Sequence, residues 1–164
     1  MSLINTSRAL VDAFHRLPGG GAGPVAYRFL HAHGRAMPVA PENATYTRRG
    51  PMGDCYRNSL HAALRTGMTY CEGYAVAGRV GIPLEHAWLC DAQGRVVDPT
   101  WPDGADYFGV PFNEEFHADF VTETGYHGIL CNLYLHPLAC KRQNAQAVLD
   151  FLAQGVAQLE GMTA

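Results

Sequence analysis

Two stretches of this chain decide its fold: MGDCYRNSLHAAL at residues 52–64 and YCEGYAVAGRVGIPLEHAWLCDAQGRVVDPTW at residues 70–101. The first places turn-forming residues before Cys55 and then spaces apolar residues on one side of a helix, which predicts a helix over 54–64 that stops near Gly67. The second contains short runs of β-formers separated by turn residues, which predicts antiparallel strands. A helix that begins at a cysteine and leads into a sheet is therefore the expected core.

The segment 85–101 predicts a β-hairpin. If Gly94 takes the left-handed position of a three-residue loop with a bulge, Asp98 falls opposite Trp88. His86 and Asp98 then lie diagonally on one face, with backbones about 7–8 Å apart, within reach of side chains of their length. A two-residue loop would instead place the two side chains on opposite faces.

Cys55, His86 and Asp98 together suit nucleophilic catalysis by a thiol. The start of a helix favours negative charge, so we expect the pKa of the Cys55 thiol to be lowered there. A carboxylate that holds one nitrogen of His86 would leave the other nitrogen free to take the thiol proton. Each residue alone is more often structural, but the three in this order form a far more specific pattern.

The remaining segments predict one α+β domain over residues 1–164, in which helices pack on one antiparallel sheet. Further helices are expected at about 3–17, 113–124 and 144–159, and strands at 69–76, 84–90, 94–98, 107–112 and 129–135. Residues 24–37 fit a strand or a helix, and residues 38–53 predict a loop.

Composition narrows the classes of partner. Twelve Lys and Arg against fifteen Asp and Glu give a net charge of −3, and no basic stripe is present, which argues against nucleic acid. No signal peptide or membrane span is recognisable, so we expect a cytoplasmic protein that does not bind membranes. Five cysteines without a C-x-x-C pair, and eight histidines without ligand spacing, predict no disulfide framework, no metal and no cofactor.

The two quoted stretches resemble the core of the transglutaminase-like superfamily of papain-like fold, most clearly in M-G-D-C, E-H-A-W and V-D-P-T-W. The resemblance covers roughly residues 52–101 and implies a papain-like core over about 52–112, with the sheet packed against the helix that starts at Cys55 and with flanking helices. It implies that Cys55 attacks a carbonyl, that His86 acts as base and then acid, and that Asp98 orients His86. The small size is similar to that of bacterial and phage-type members.

The sequence leaves open which groups would donate hydrogen bonds to an oxyanion. Relatives of papain type carry a Gln six residues before the Cys, and Arg49 stands there in this chain. The backbone N–H of Cys55 is the first candidate donor, and a side chain such as Tyr46, Arg49 or Asn58 is the second.

Three other residues near the triad have two interpretations each. Glu72 is expected in a strand near the site. It either recognises a positive charge on the substrate or is a solvated or salt-bridged strand residue. Trp88 and Trp101 either shield the pair of His86 and Asp98 or form core packing. Substrate specificity is expected in the loops 38–53 and 102–106.

The sequence therefore predicts a cysteine hydrolase, acting as a peptidase, amidase or deamidase on an amide of a peptide or protein through a thioester on Cys55. Transfer of the acyl group to an amine, as in transglutaminases, uses the same three residues. A catalytically silent module that binds peptides is the alternative from outside the enzymes.

Overall fold

The computed structural model describes residues 6–18, 22–78, 80–136 and 144–159. Within them it has five α-helices and five strands, which confirms the α+β class. The helices are α1 (Thr6–Phe14), α2 (Ala22–His33), α3 (Cys55–Thr66), α4 (Glu114–Thr124) and α5 (Ala145–Gln154). The strands are β1 (Arg35–Met37), β2 (Thr69–Ala77), β3 (Pro83–Cys90), β4 (Val96–Val97) and β5 (Gly104–Phe112), and 3₁₀ turns lie at Pro41–Thr45 and Leu133–Leu135.

The five strands form one antiparallel sheet in the order β1-β5-β2-β3-β4. The sheet curls, so that the segment after β1 reaches β4, the strand at the opposite edge. There, Val39 forms a parallel bridge with Val96, the N–H of Ala40 donates to Val96 O at 2.8 Å, and the N–H of Val96 donates to Pro38 O at 2.7 Å. The curl brings the loop that follows β1 next to the hairpin of β3 and β4.

The two faces of the sheet bury different sets of side chains, as the alternation of a strand requires. One face packs against helices, and its buried members include Tyr70, Tyr74, Ala87, Phe108 and Phe112. The other face gathers a second core whose buried members include Met37, Cys71, Trp88, Trp101 and Tyr107. His86 belongs to the second face because it is two residues from Trp88 along β3.

Helix α3 begins at Cys55 and is limited by glycines, as the sequence predicts. Gly53 has a φ of 88° in the approach to the helix, and Gly67 ends it with a φ of 69° while its N–H donates to Ala63 O at 2.8 Å. A side chain is strained at such φ values, so glycine at these positions gives the helix defined ends.

The hairpin of β3 and β4 has the predicted register. Leu89 lies opposite Val97, and the N–H of Asp91 donates to Arg95 O at 3.0 Å. Gly94 has a φ of 72°, which is the left-handed conformation that the three-residue loop requires. His86 and Asp98 are therefore brought to the same face.

Several predicted elements are wrong in extent or type. Residues 129–135 do not form a strand: the N–H groups of Ile129 and Leu130 bond to the Glu72 carboxylate instead of to a neighbouring strand. The C-terminal helix ends at Gln154, and the following residues turn back to bridge β5. The N-terminal helix, predicted to reach residue 17, ends at Phe14, and residues 1–5 lie outside the described residues.

Candidate active site

His86 and Asp98 form a buried, hydrogen-bonded pair. The Nε2 atom of His86 lies 2.7 Å from Oδ2 of Asp98, and both side chains are fully buried. The indole of Trp101 stacks on the imidazole with ring centroids 3.6 Å apart and planes within 5°. Trp88 lies farther away, at 6.2 Å between ring centroids, and its N–H donates to the sulfur of Met37. Trp101 thus fixes the plane of the imidazole, and Trp88 contributes to the core.

The Asp98 carboxylate receives three further hydrogen bonds. Its Oδ1 accepts from the backbone N–H groups of Thr100 at 2.7 Å and Trp101 at 2.9 Å, and its Oδ2 accepts from the Tyr107 hydroxyl at 2.7 Å. An ionised carboxylate only accepts hydrogen bonds, so four converging donors suit the charged form. The motif D-P-T-W therefore holds Asp98 by its own backbone, while Tyr107 comes from β5.

The second nitrogen of the His86 ring has no partner. Nδ1 is buried and makes no hydrogen bond within the described residues. Because Nε2 faces a carboxylate that only accepts, Nε2 carries the proton in the neutral ring and Nδ1 keeps its lone pair. This arrangement leaves a buried nitrogen whose lone pair has no hydrogen-bond donor among the described residues.

The thiol of Cys55 lies beside the strand that carries His86. The backbone of Ala87, the next residue in β3, lies near enough to the thiol to lower its pKa, and Cys55 is 9% exposed. No hydrogen bond joins the Cys55 thiol to the His86 ring in the part of the chain that the structure describes. Cys55 thus lies near the residue that follows His86 in β3, and the negative charge of Asp98 acts on its thiol.

The prediction that the start of α3 lowers the pKa of the Cys55 thiol is wrong. Burial raises the pKa of the Cys55 thiol to about 11, and the negative charges of Glu72 and Asp98 act in the same direction. Hydrogen bonds from the backbone at Ala87 and Tyr56 lower the pKa but do not outweigh the loss of hydration. The thiol is consequently protonated at neutral pH.

Glu72, whose charge raises the pKa of this thiol, is buried and is not the solvated residue of the simpler interpretation. Its carboxylate accepts from the Tyr70 hydroxyl at 2.7 Å and from the backbone N–H groups of Ile129 and Leu130. Burial raises the pKa of Glu72 to about 7. Glu72 therefore connects the segment after α4 to β2.

Asn58 uses both amide hydrogens to connect loops. Its Nδ2 donates to Pro51 O at 2.9 Å and to the Thr100 hydroxyl at 3.0 Å. The first bond ties α3 to the loop that precedes Cys55, and the second ties it to the loop after Asp98. Asn58 thus positions the helix of Cys55 against the loop of Asp98.

Arg49 and Tyr46 lie in the loop that packs behind Asp98. The Arg49 guanidinium donates to the backbone carbonyls of Tyr46 and Asn43, and its cation lies 5.8 Å from the centre of the Tyr46 ring. Asn43 in turn accepts from the backbone N–H of Asp98 at 2.8 Å through its side chain. Arg49 therefore braces the Asn43 loop.

Tyr107 and Asn43 are contacts of Asp98 that sequence reasoning missed. Tyr107 belongs to an aromatic stretch of β-formers, and the one signal it carries is a hydroxyl in a buried strand that needs a partner. Asn43 sits in a loop of turn-forming residues with no periodicity. Only the curl of the sheet brings both to Asp98.

Replacement of Asn58 by alanine should lower the stability of the protein. Two hydrogen bonds are lost, so we expect a cost of about 1–3 kcal/mol and a lower melting temperature by several degrees. Arg57→Ala, on the exposed side of the same helix, is the matched control and should change stability by less than about 0.5 kcal/mol. A large fall in kcat of Asn58→Ala at unchanged stability would instead identify the amide as an oxyanion donor.

Among the described residues, no group of three or more His, Cys, Asp or Glu side chains is placed to hold a metal ion. No helix in the same ranges is both long and apolar enough to cross a membrane. Comparisons with protein-family models, with curated proteins and with solved structures found no match to this chain.

Proposed function

We propose that this protein is a cysteine hydrolase of the transglutaminase-like class, with a papain-like core, that cleaves an amide of a peptide or protein. The observation that carries the proposal is the state of His86: Nε2 is held by Asp98, while the buried Nδ1 makes no hydrogen bond within the described residues, and the backbone of the next residue in β3, Ala87, lies near the Cys55 thiol. An imidazole with one nitrogen oriented by a carboxylate and the other free is the base that a thiol nucleophile requires.

In the proposed reaction, His86 Nδ1 takes the thiol proton as the Cys55 sulfur attacks the carbonyl carbon. His86 then returns the proton to the leaving nitrogen, the C–N bond breaks, and a thioester remains on Cys55. Water, deprotonated by Nδ1, attacks the thioester and releases the carboxylic acid and the thiol. Asp98 keeps the proton on Nε2 and stabilises the imidazolium when it forms.

The raised pKa of Cys55 determines how the first step proceeds. A thiol with a pKa of about 11 is not a preformed thiolate at neutral pH, so its proton must leave during the attack. His86 therefore acts as a general base in the transition state, and the protein does not rely on a resting thiolate–imidazolium pair.

The start of α3 supplies the proposed oxyanion donor. Within the described chain the Cys55 N–H makes no hydrogen bond, and the preceding Asp54 does not cap the helix with its side chain. A free N–H at a helix N-terminus suits a developing oxyanion. The second donor is not Asn58 in the present conformation, since both of its amide hydrogens are already bonded to oxygen atoms.

The test uses mass spectrometry of casein digested in H₂¹⁸O with wild-type protein and with Cys55→Ala. Hydrolysis should introduce ¹⁸O into new carboxylates, at cleaved peptide bonds or at former amide side chains, in the wild type alone. Hydroxylamine added to the wild type should intercept the thioester as a hydroxamate. A parallel reaction contains methylamine as an acyl acceptor. If methylamine is incorporated instead of ¹⁸O, the protein is an acyltransferase and the hydrolase proposal fails.

If the protein is a catalytically silent binding module, no thioester should form on Cys55 with any substrate. Alkylating agents should then react with Cys55 at the same rate in the wild type and in His86→Ala. The alkylation comparison requires no knowledge of the substrate. Equal alkylation rates would therefore contradict the proposal even if casein is a poor substrate.

A further inference from the structure

A cleft lined by cationic and neutral polar residues opens beside the candidate active site. It has a volume of about 450 Å³ and lies between the loop of residues 48–50 and the side of α3, and we call it the basic cleft. Its lining residues are Arg48, Arg49, Gly50, Asn58, His61 and Arg65. No carboxylate is among these lining residues. On a chain with a net charge of −3, this concentration of positive charge is a distinct feature.

The basic cleft is attached to the loop of Asp98 at two points. Asn58 donates to the Thr100 hydroxyl at 3.0 Å, and the N–H of Gly50 donates to Pro99 O at 2.8 Å. Helix α3, which begins at Cys55, forms the opposite wall. A molecule bound in the basic cleft therefore lies along the same helix and against the same loop as the proposed catalytic residues.

The charges of the basic cleft are not neutralised within the described chain. Neither Arg48 nor Arg65 forms an ion pair or a hydrogen bond there, whereas Arg57, on the same helix, lies 3.9 Å from Asp54. Arg49 forms the inner side, where two carbonyls hold its guanidinium and its buried Nε makes no hydrogen bond. Two unpaired guanidinium groups, one fixed guanidinium and an imidazole thus line the basic cleft.

Guanidinium groups bind carboxylates and phosphates through paired, charge-assisted hydrogen bonds. We propose that the basic cleft binds an oxyanion, a carboxylate or a phosphate, carried by the substrate of Cys55. This rests on the proposed function and assigns it a substrate class: an amide with an acidic group on the side that extends along α3. Arg48 and Arg65 are the specificity-determining residues, and Arg49 sets the position of the inner wall.

The experiment measures binding without turnover, by calorimetric titration of full-length Cys55→Ala protein at low salt. The probes are triglutamate, neutral triglutamine and inorganic phosphate. Triglutamate should bind at least tenfold more tightly than triglutamine, and inorganic phosphate should compete with it. In the same background, Arg65→Glu and Arg48→Glu should each weaken triglutamate binding about tenfold.

Arg57→Glu is the matched control, because it changes the charge of the same helix by the same amount outside the basic cleft. It should alter triglutamate binding less than twofold, and thermal melts verify that all variants are folded. Equal weakening by Arg57→Glu and Arg65→Glu, or no preference for triglutamate, would overturn the proposal. If inorganic phosphate binds more tightly than triglutamate and its binding depends equally on Arg48 and Arg65, the result supports an oxyanion site. It then identifies phosphate as the acidic group of the substrate.

The two proposals fail separately in this design. Binding is measured on a protein that lacks the nucleophile, so an inactive wild type does not affect the result. Loss of the acidic preference, with Cys55-dependent hydrolysis intact, would reject the basic cleft alone.

Discussion

Asp98→Asn should reduce Cys55-dependent hydrolysis by roughly 10³–10⁴-fold while the protein remains folded. The substitution keeps the shape of the side chain but replaces one oxygen by an amide group that donates. If that group faces Nε2 of His86, which now lies 2.7 Å from Oδ2, the ring must present its lone pair there and carry the proton on Nδ1. Nδ1 can then no longer accept the thiol proton.

The hydrolysis rate and the free energy of unfolding are measured on the same preparations of Asp98→Asn. We expect a stability cost of about 1–3 kcal/mol, because two of the four donors around the carboxylate, His86 Nε2 and the Tyr107 hydroxyl, share Oδ2 and lose that acceptor. Asp98→Ala leaves all four donors without an acceptor and should cost about 3–5 kcal/mol or prevent folding.

Tyr107→Phe is the control for the hydrogen bonding around Asp98. It removes the hydroxyl that donates to Oδ2 at 2.7 Å but leaves the bond to His86 in place. It should cost about 1 kcal/mol of stability and retain most of the hydrolysis rate. Wild-type turnover in a folded Asp98→Asn protein would contradict the role given to Asp98.

His86→Ala should slow the alkylation of Cys55 by iodoacetamide at pH 7.5 by roughly 10²-fold or more, which is the lower range of general-base effects. The thiolate is the reactive form, and a pKa of about 11 leaves roughly one thiolate in 10³–10⁴ at this pH. In the wild type, Nδ1 of His86 assists removal of the proton. In His86→Ala only the small thiolate population reacts.

The pH dependence of this alkylation follows from the direction of the pKa shift. Since the Cys55 pKa is raised, the rate in His86→Ala should climb about tenfold per pH unit from pH 7 and level off near pH 11. The wild-type rate should exceed it at neutral pH and approach it at high pH. Peptide mapping by mass spectrometry assigns the label to each cysteine.

Other cysteines serve as internal references in the same spectra. Cys71 and Cys90 are fully buried, with sulfurs 3.0 Å apart, and burial holds the pKa of Cys71 and of Cys131 well above the usual range of a thiol. These three should label more slowly than Cys55, whereas Cys140 lies outside the described residues. Identical profiles for Cys55 in both proteins would contradict activation by His86.

The sequence alone determined the local geometry of the proposed site. The glycine at position 94 and the spacing of β-formers gave the hairpin register that bonds His86 to Asp98. The turn residues before Cys55 and the glycine at position 67 gave the ends of α3. These features depend on contacts between residues near each other in the chain, so propensity and periodicity are sufficient to predict them.

Only the tertiary structure decided what surrounds the three residues. The curl of the sheet brings Tyr107 and the Asn43 loop to Asp98, and burial against β3 raises the Cys55 pKa although the helix start favours the thiolate. The segment 129–135, a strand by composition, bonds instead to the Glu72 carboxylate. Desolvation and long-range hydrogen bonds depend on which distant segments meet, and no local pattern in the sequence encodes that meeting.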